Sequence, residues 1–314
     1  MRSAAGADAV QRFAQSQILE FNESMAARLT RNGWTRWHLV GAVLMVTLAV
    51  LSRRAAWGDI LRIATRDEES SHIFLVPFVF VWLVWVRRFR LRNTRPHGKW
   101  WGLLVLGAGA ILSFWGYERS IHFFWHAGSV LVAVGALLVI VGTDILLSFL
   151  PAFGVLIFLV PVPGMVREQI AIPLQTYTAV ITQQLFEVLG VAVERSGNLL
   201  SINGVDVTIA EACNGVRMAF ALTLVSWAFA FGTPLRGYAR GLVLAASPIT
   251  AIGCNVMRIA FVLWFYGEQF SWAGAVHDIS GWLMLGLSFL LLYSILAVLR
   301  WALVPVEAFT LAKD

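Results

Sequence analysis

Residues 127–143 read AGSVLVAVGALLVIVGT and residues 145–163 read ILLSFLPAFGVLIFLVPVP, and Asp144 is the one charged residue in the whole stretch. A helix rises 1.5 Å per residue, so about 20 apolar residues cross the hydrocarbon core of a bilayer. The stretch therefore reads as two membrane-spanning segments divided at Gly142, Thr143 and Asp144, with a re-entrant or tilted pair as the alternative there. Comparable apolar runs lie on either side of it, at 34–52, 72–86, 100–117, 212–232, 241–264 and 277–299. An all-α integral membrane protein with about eight transmembrane helices is expected. The run at 72–86 is short and must borrow flanking residues to cross.

Composition points the same way. The chain is 59% hydrophobic and 13% charged, whereas a soluble domain carries about 25% charged residues. Something other than its own fold shields most of the chain from water. The net charge of +6 is no sign of nucleic-acid binding, because the basic residues cluster between apolar runs in the positive-inside pattern. Arg87, Arg88, Arg90, Arg92, Arg95 and Lys99 crowd one short connection, and Arg2, Arg12, Arg28, Arg31 and Arg36 precede or open the first run. Both termini are expected in the cytoplasm of a multi-pass plasma (inner) membrane protein. Two cysteines, Cys213 and Cys254, make no disulfide framework. No cleavable signal peptide, tandem repeat, phosphate-binding glycine loop or nucleotide fingerprint is evident.

The expected organisation is a cytoplasmic amphipathic segment at 1–33 and an N-terminal bundle of about five transmembrane helices at 34–163. An extracytoplasmic helix and β-hairpin follow at 164–211, then catalytic transmembrane helices at 212–299 and a cytoplasmic tail at 300–314. Within the insertion, 170–189 is a helix candidate broken near Pro173, with Gln175, Gln183 and Gln184 interspersed. Residues 198–210 read as two short strands about Asn203-Gly204, a strong signal for a two-residue hairpin turn.

Ionisable groups within membrane helices are costly, and by default they mark functional sites. Cys213 stands in Glu211-Ala-Cys-Asn-Gly-Val-Arg217, Arg258 in Cys254-Asn-Val-Met-Arg258, and His277 is followed by Asp278. The eight-helix topology brings Cys213, Arg258 and His277 to one depth near the outer leaflet. Their chemistry suits acyl transfer. A thiolate attacks a peptide carbonyl, a histidine moves the proton to the leaving amine, and an arginine holds the oxyanion or lowers the thiol pKa.

Each candidate has a plainer rival. A membrane cysteine is usually a packing residue, but Glu211, Asn214 and Arg217 argue against that for Cys213, whereas Cys254 keeps it. Arg258 could snorkel outward, and His277 could be interfacial. Arg217 could form a structural ion pair with Glu211 or Asp278. His72, at the outer start of the second run, is a substrate-binding or proton-carrying candidate against a structural or interfacial placement. The acidic run Asp67-Glu68-Glu69 before it reads as a solvated loop. His122 and His126 read as an aromatic interfacial belt, and no metal site or cofactor is expected.

The stretch Val-Asp-Val-Thr-Ile-Ala-Glu-Ala-Cys-Asn-Gly-Val-Arg-Met at 205–218 resembles the nucleophile motif of the exosortase/archaeosortase family, membrane-embedded cysteine transpeptidases. Pro173-Leu-Gln-Thr-Tyr and Leu189-Gly-Val-Ala-Val-Glu-Arg-Ser-Gly-Asn198 resemble its lead-in. Asn255-x-x-Arg258 and His277 resemble the later members of its Cys/Arg/His triad, and Ser71-His-Ile-Phe-Leu-Val-Pro77 resembles its Ser-His-Gly-x-Leu-x-Pro element. The chain departs from the family at Asn214, where many members carry Ser, and at Ile73, where the element has Gly. The likeness runs from about residue 67 to 299.

The resemblance implies catalytic Cys213, Arg258 and His277, supported by Arg217, Glu211, Asn214, Asn255, His72 and Asp278. It implies as partners exported proteins that end in a short motif such as Pro-Glu-Pro, a transmembrane helix and a basic tail, with an envelope exopolysaccharide or lipid acceptor. Nucleic acid is not an expected partner; the lipid bilayer is. Two alternatives remain at this level: a simple membrane cysteine endopeptidase, and a non-enzymatic transporter or assembly scaffold with buried Arg and His lining a polar pathway.

Overall fold

The computed structural model describes residue 30 and residues 32–96, 100–208, 216–267 and 273–301, with backbone alone at 68, 208, 216, 266, 267, 273–278, 282, 285 and 299–301. The order is α1 (Arg36–Ser52), α2 (Arg54–Arg66), a 3-10 segment (Glu68–Leu75) running into α3 (Val76–Val86), and a second 3-10 segment (Arg88–Asn93). Then come α4 (Trp100–Glu118), α5 (His122–Val141), α6 (Thr143–Ser148), α7 (Leu150–Val155), a third 3-10 segment (Leu156–Leu159) and α8 (Gly164–Val188). Strands β1 (Glu194–Ser196), β2 (Leu199–Ile202) and β3 (Val205–Thr208) precede α9 (Val216–Gly232), α10 (Gly237–Gly267) and α11 (Ala273–Trp301).

Five helical stretches among the described residues are long and apolar enough to cross a membrane, or up to seven if each of two bent helix pairs counts as one span. The chain is thus a multi-pass, predominantly helical membrane protein with five to seven candidate spans where eight were expected. The run at 145–163 accounts for part of the difference. It is divided into α6, α7 and a 3-10 turn, and the axis then turns by 92° into α8. Pro161 and Pro163 stand at that bend, where each withholds an amide hydrogen from the helical ladder. The described part of α9 is a shorter apolar helix. Large apolar side chains such as Trp37, Phe78, Ile111 and Leu290 face outward, as a lipid-exposed surface requires.

Contacts divide the chain into two units, Met1–Trp57 with Val84–Phe153 and Gly58–Leu83 with Gly154–Asp314. In the first unit α4 and α5 form an antiparallel pair around a glycine seam. Gly102, Gly109 and Gly116 repeat every seven residues on α4, and Gly128 and Gly135 do so on α5. A Cβ at Gly109 would lie 2.7 Å from Val132 N, and one at any of the other four would meet the facing backbone more closely still. The two backbones touch, as small-residue interfaces in membranes allow, and the seven-residue period keeps the contact on one side of each helix. Inside the seam the Ser113 and Ser129 hydroxyls lie 3.1 Å apart.

In the second unit β2 is the central strand of an antiparallel sheet of order β1-β2-β3. Asn203 and Gly204 both have positive φ, 51° and 77°, the geometry of a type I′ turn, and Ile202 pairs with Val205 across it. Leu200 and Ile202 of β2, with Val193, pack on Ala179 and Phe186 of α8 and on Ile259 and Leu263 of α10. Two of the glutamines noted in the sequence fasten the sheet's rim to α8. Asn198 Nδ2 donates to Gln175 Oε1 (3.1 Å) and Arg195 Nε to Gln183 Oε1 (3.0 Å). α8 is one helix with Pro173 inside it, so the break expected at that residue does not occur. An interior proline costs about 3 kcal/mol, which the packing of α8 on the sheet and α10 offsets.

Candidate active site

Two packing layers set the relative directions of the last three helices. Ala230 near the end of α9 packs with Ala239 and Val243 near the start of α10 and Leu296 near the end of α11. Leu222, Ala251 and Leu292 form the next layer. Continuing away from the first layer leads to the start of α9, the far part of α10 and the start of α11. That end of the unit carries Arg217, Arg258 and the backbone of His277.

Arg258 is half-buried on α10. Its Nε donates to Ser280 Oγ of α11 at 3.2 Å, and Ser280 is 2% exposed. The guanidinium passes over Gly281, where a Cβ would sit 3.6 Å from Nη2 and 3.7 Å from Cζ. Arg258 is therefore directed across the helix interface and does not snorkel outward. Residues four apart share a helix face, so Gly281 lies one turn beyond His277 on the same side of α11. Asn255, one turn before Arg258, is buried, as is Cys254 beside it. Arg217 lies in the first turn of α9 with its side chain exposed.

Cys213, Glu211 and Asn214 lie outside the described residues; the chain is described to Thr208 and again from Val216. His277 and Asp278 are described as backbone within α11. Of the candidate triad, the structure thus brings the Arg258 guanidinium within a turn of the His277 backbone.

His72 is buried, 5% exposed, in the 3-10 segment Glu68–Leu75. Its ring stacks on Phe220 of α9, with centroids 5.2 Å apart and planes 19° apart, and meets Phe158 edge-on. The ring thus has a packed setting inside the protein. In the acidic run before it, read as a solvated loop, Asp67 and Glu69 are instead ion-paired: Arg167 of α8 lies 2.6 Å from Asp67 and 3.2 Å from Glu69.

A family model described as transmembrane exosortase matches residues 57–294, about three-quarters of the chain. The chain belongs to the transmembrane exosortase family. No curated protein and no solved structure matches it. Exosortases are membrane proteins of a cysteine-dependent protease and transpeptidase family, and membership gives the chain a general role in membrane protein sorting. The matched span contains every candidate residue from His72 to Asp278.

Sequence reasoning missed three contributors within this exosortase. Ser280 and Gly281 carried a usable signal, a small polar residue and a glycine at three and four residues beyond His277. Arg167 carried none, because 100 residues separate it from Asp67. His126 is buried at 1% exposure and stacked on Trp125, within the aromatic cluster expected there.

Proposed function

We propose that the chain cleaves the C-terminal sorting signal of exported proteins at the outer face of the inner membrane and transfers the cleaved protein to an envelope acceptor. Cys213 is the nucleophile. Its thiolate sulfur bonds to the carbonyl carbon of the scissile peptide, and Arg258 stabilises the negative charge that develops on sulfur and then on oxygen. His277 delivers the proton with which the amine departs, leaving a thioester on Cys213. The acceptor then bonds to the thioester carbonyl and the sulfur leaves as thiolate. Glu211, Asn214, Arg217, Asn255 and Asp278 support the substrate and the charges around it.

One observation carries this reading. Arg258 is fixed against Ser280 and over Gly281, one turn from His277, at the end of the bundle where α9 begins three residues after Cys213. A charged guanidinium set into a helix interface by a buried hydroxyl suits an electrostatic role. The substrate follows from the family's sorting role: a protein ending in a short motif such as Pro-Glu-Pro, an apolar helix and a basic tail. With both termini of the enzyme cytoplasmic, the substrate helix lies beside the bundle and its basic tail stays inside.

The test is processing of an exported reporter with that ending in cells carrying Cys213→Ala, Cys213→Ser, Arg258→Ala or His277→Ala. Each variant is expected in the membrane at normal abundance and without processing. Normal processing by either cysteine variant defeats the nucleophile assignment. The mass of the released reporter separates transfer from hydrolysis, because transfer adds the acceptor and hydrolysis adds only water.

A further inference from the structure

We propose that His72 is a second working imidazole of this site, the base that takes the proton of the incoming acceptor, and that Arg167 is its positioning residue. This rests on the Cys213 nucleophile proposed above. Asp67 caps the 3-10 segment: its carboxylate accepts from the Glu69 amide at 3.1 Å and from the Ser70 hydroxyl at 2.9 Å. Arg167 Nη1 donates to the same carboxylate at 2.6 Å while its Nε faces Glu69 Oε2 at 3.2 Å. One guanidinium from α8 thus holds the Asp67 and Glu69 side chains. The carbonyl of that same Glu69 binds His72 Nδ1 at 3.0 Å.

That contact fixes the tautomer. A carbonyl only accepts, so Nδ1 carries the hydrogen and the neutral ring keeps its lone pair on Nε2. Nε2 makes no hydrogen bond among the described residues and is not a fully buried nitrogen, so its lone pair stays accessible, while the ring is held face-on by Phe220 and edge-on by Phe158. Phe220 is three residues beyond Arg217 on α9, the helix that follows the Cys213 motif. An imidazole with a fixed tautomer, an unused and accessible lone pair and an ion-paired support is built to accept a proton.

The step balances without a further reagent. The acceptor heteroatom bonds to the thioester carbonyl carbon, its proton passes to His72 Nε2, the carbon–sulfur bond breaks, and Cys213 leaves as thiolate. His277 serves the leaving amine in the first half-reaction and His72 the acceptor in the second. Loss of His72 should therefore leave cleavage intact and stall the acyl-enzyme.

The experiment uses full-length enzyme in membranes with the reporter ending in Pro-Glu-Pro, an apolar helix and a basic tail. Formation and decay of a hydroxylamine-labile enzyme–reporter adduct are followed per inserted enzyme. His72→Phe keeps the stacking and His72→Asn keeps a donor near Nδ1. Both should form the adduct at the unmodified enzyme's rate and release it about a hundredfold more slowly, the usual scale of a lost general base. Arg167→Met should slow release in the same sense and Arg167→Lys should restore part of it. Unchanged release in either His72 variant, or failure of both to form the adduct, overturns the assignment of His72. Unchanged release in Arg167→Met overturns the positioning role. The Cys213→Ala control reports separately on the nucleophile: cleavage there sinks the earlier reading, whatever the His72 variants do.

Discussion

Ser280→Ala removes the hydroxyl that accepts from Arg258 Nε at 3.2 Å. A hydrogen bond to a charged group contributes about 1.5–3 kcal/mol, and this one is at the long end of the distance range, so about 1.5 kcal/mol is the better figure. Each 1.4 kcal/mol of lost transition-state stabilisation is about tenfold in rate. Ser280→Ala should thus lower kcat/KM for reporter processing by about tenfold, with about a hundredfold as the ceiling. If Arg258 acts on charge that appears only in the transition state, kcat should carry the loss and KM should stay near its original value. Ser280→Thr keeps the acceptor and should retain activity. Gly281 supplies an independent check. A methyl group there sits at ordinary contact distance, 3.6 Å from Nη2, so Gly281→Ala should be tolerated, while the longer side chain of Gly281→Leu must displace the guanidinium and abolish processing. Initial rates would be measured with enzyme in lipid nanodiscs, normalised to inserted protein. Full activity of Ser280→Ala beside an inactive Arg258→Ala would refute the idea that Ser280 sets the arginine's orientation.

Two further perturbations probe the scaffold and the second thiol. Gly109→Val places a Cβ 2.7 Å from Val132 N, whereas nothing lies within 4 Å of a Cβ at Gly107; overpacking should cost the first variant about 1–3 kcal/mol and spare Gly107→Val. Melting temperatures of the two variants in detergent check this, and equal shifts would contradict the close seam. Cys254→Ala deletes a sulfur that is 1% exposed and should cost about 1 kcal/mol of stability as a small cavity. Its processing rate should match that of the unmodified enzyme; an inactive, stably inserted Cys254→Ala would contradict the assignment of Cys213 as the one reactive thiol.

Much of the fold was legible because the bilayer imposes a simple rule on composition. The apolar runs at 100–117 and 127–143 correspond to α4 and α5 within a few residues, and the Asn203-Gly204 turn stands between β2 and β3. The same rule failed at 145–163. Apolar content alone cannot distinguish a straight span from short helices divided by proline. Pro173 failed in the opposite sense, because the local cost of an interior proline is invisible beside the tertiary contacts that override it. At the site, Arg258 and His277 stood out as ionisable residues in apolar surroundings. What orients Arg258 was harder to see, since Ser280 and Gly281 are ordinary residues until their helix is laid against α10. The tie from Arg167 to Asp67 and Glu69 was not legible at all, because ion pairs between distant segments leave no periodicity.

The placement of the sheet gives these observations a mechanical connection. Leu200 and Ile202 of β2 pack on Ile259 and Leu263 of α10, and Ile259 is the residue next to Arg258. β2 is in register with β3 through four pairs, Leu199 to Thr208 and Ile202 to Val205 at the extremes. A hydrophobic contact on α10 therefore fixes, through the ladder, where Thr208 delivers the chain into the motif segment. On the other side of that segment α9 begins at Val216 and packs on α10 and α11 through Leu222, Ala251 and Leu292. The residues before and after the motif are thus both referenced to the helix that holds Arg258. Lipid supplies no hydrophobic drive for one membrane helix to find another, so a reactive centre assembled from separate helices needs such fixed references. A small sheet with its own apolar core is one way to provide them.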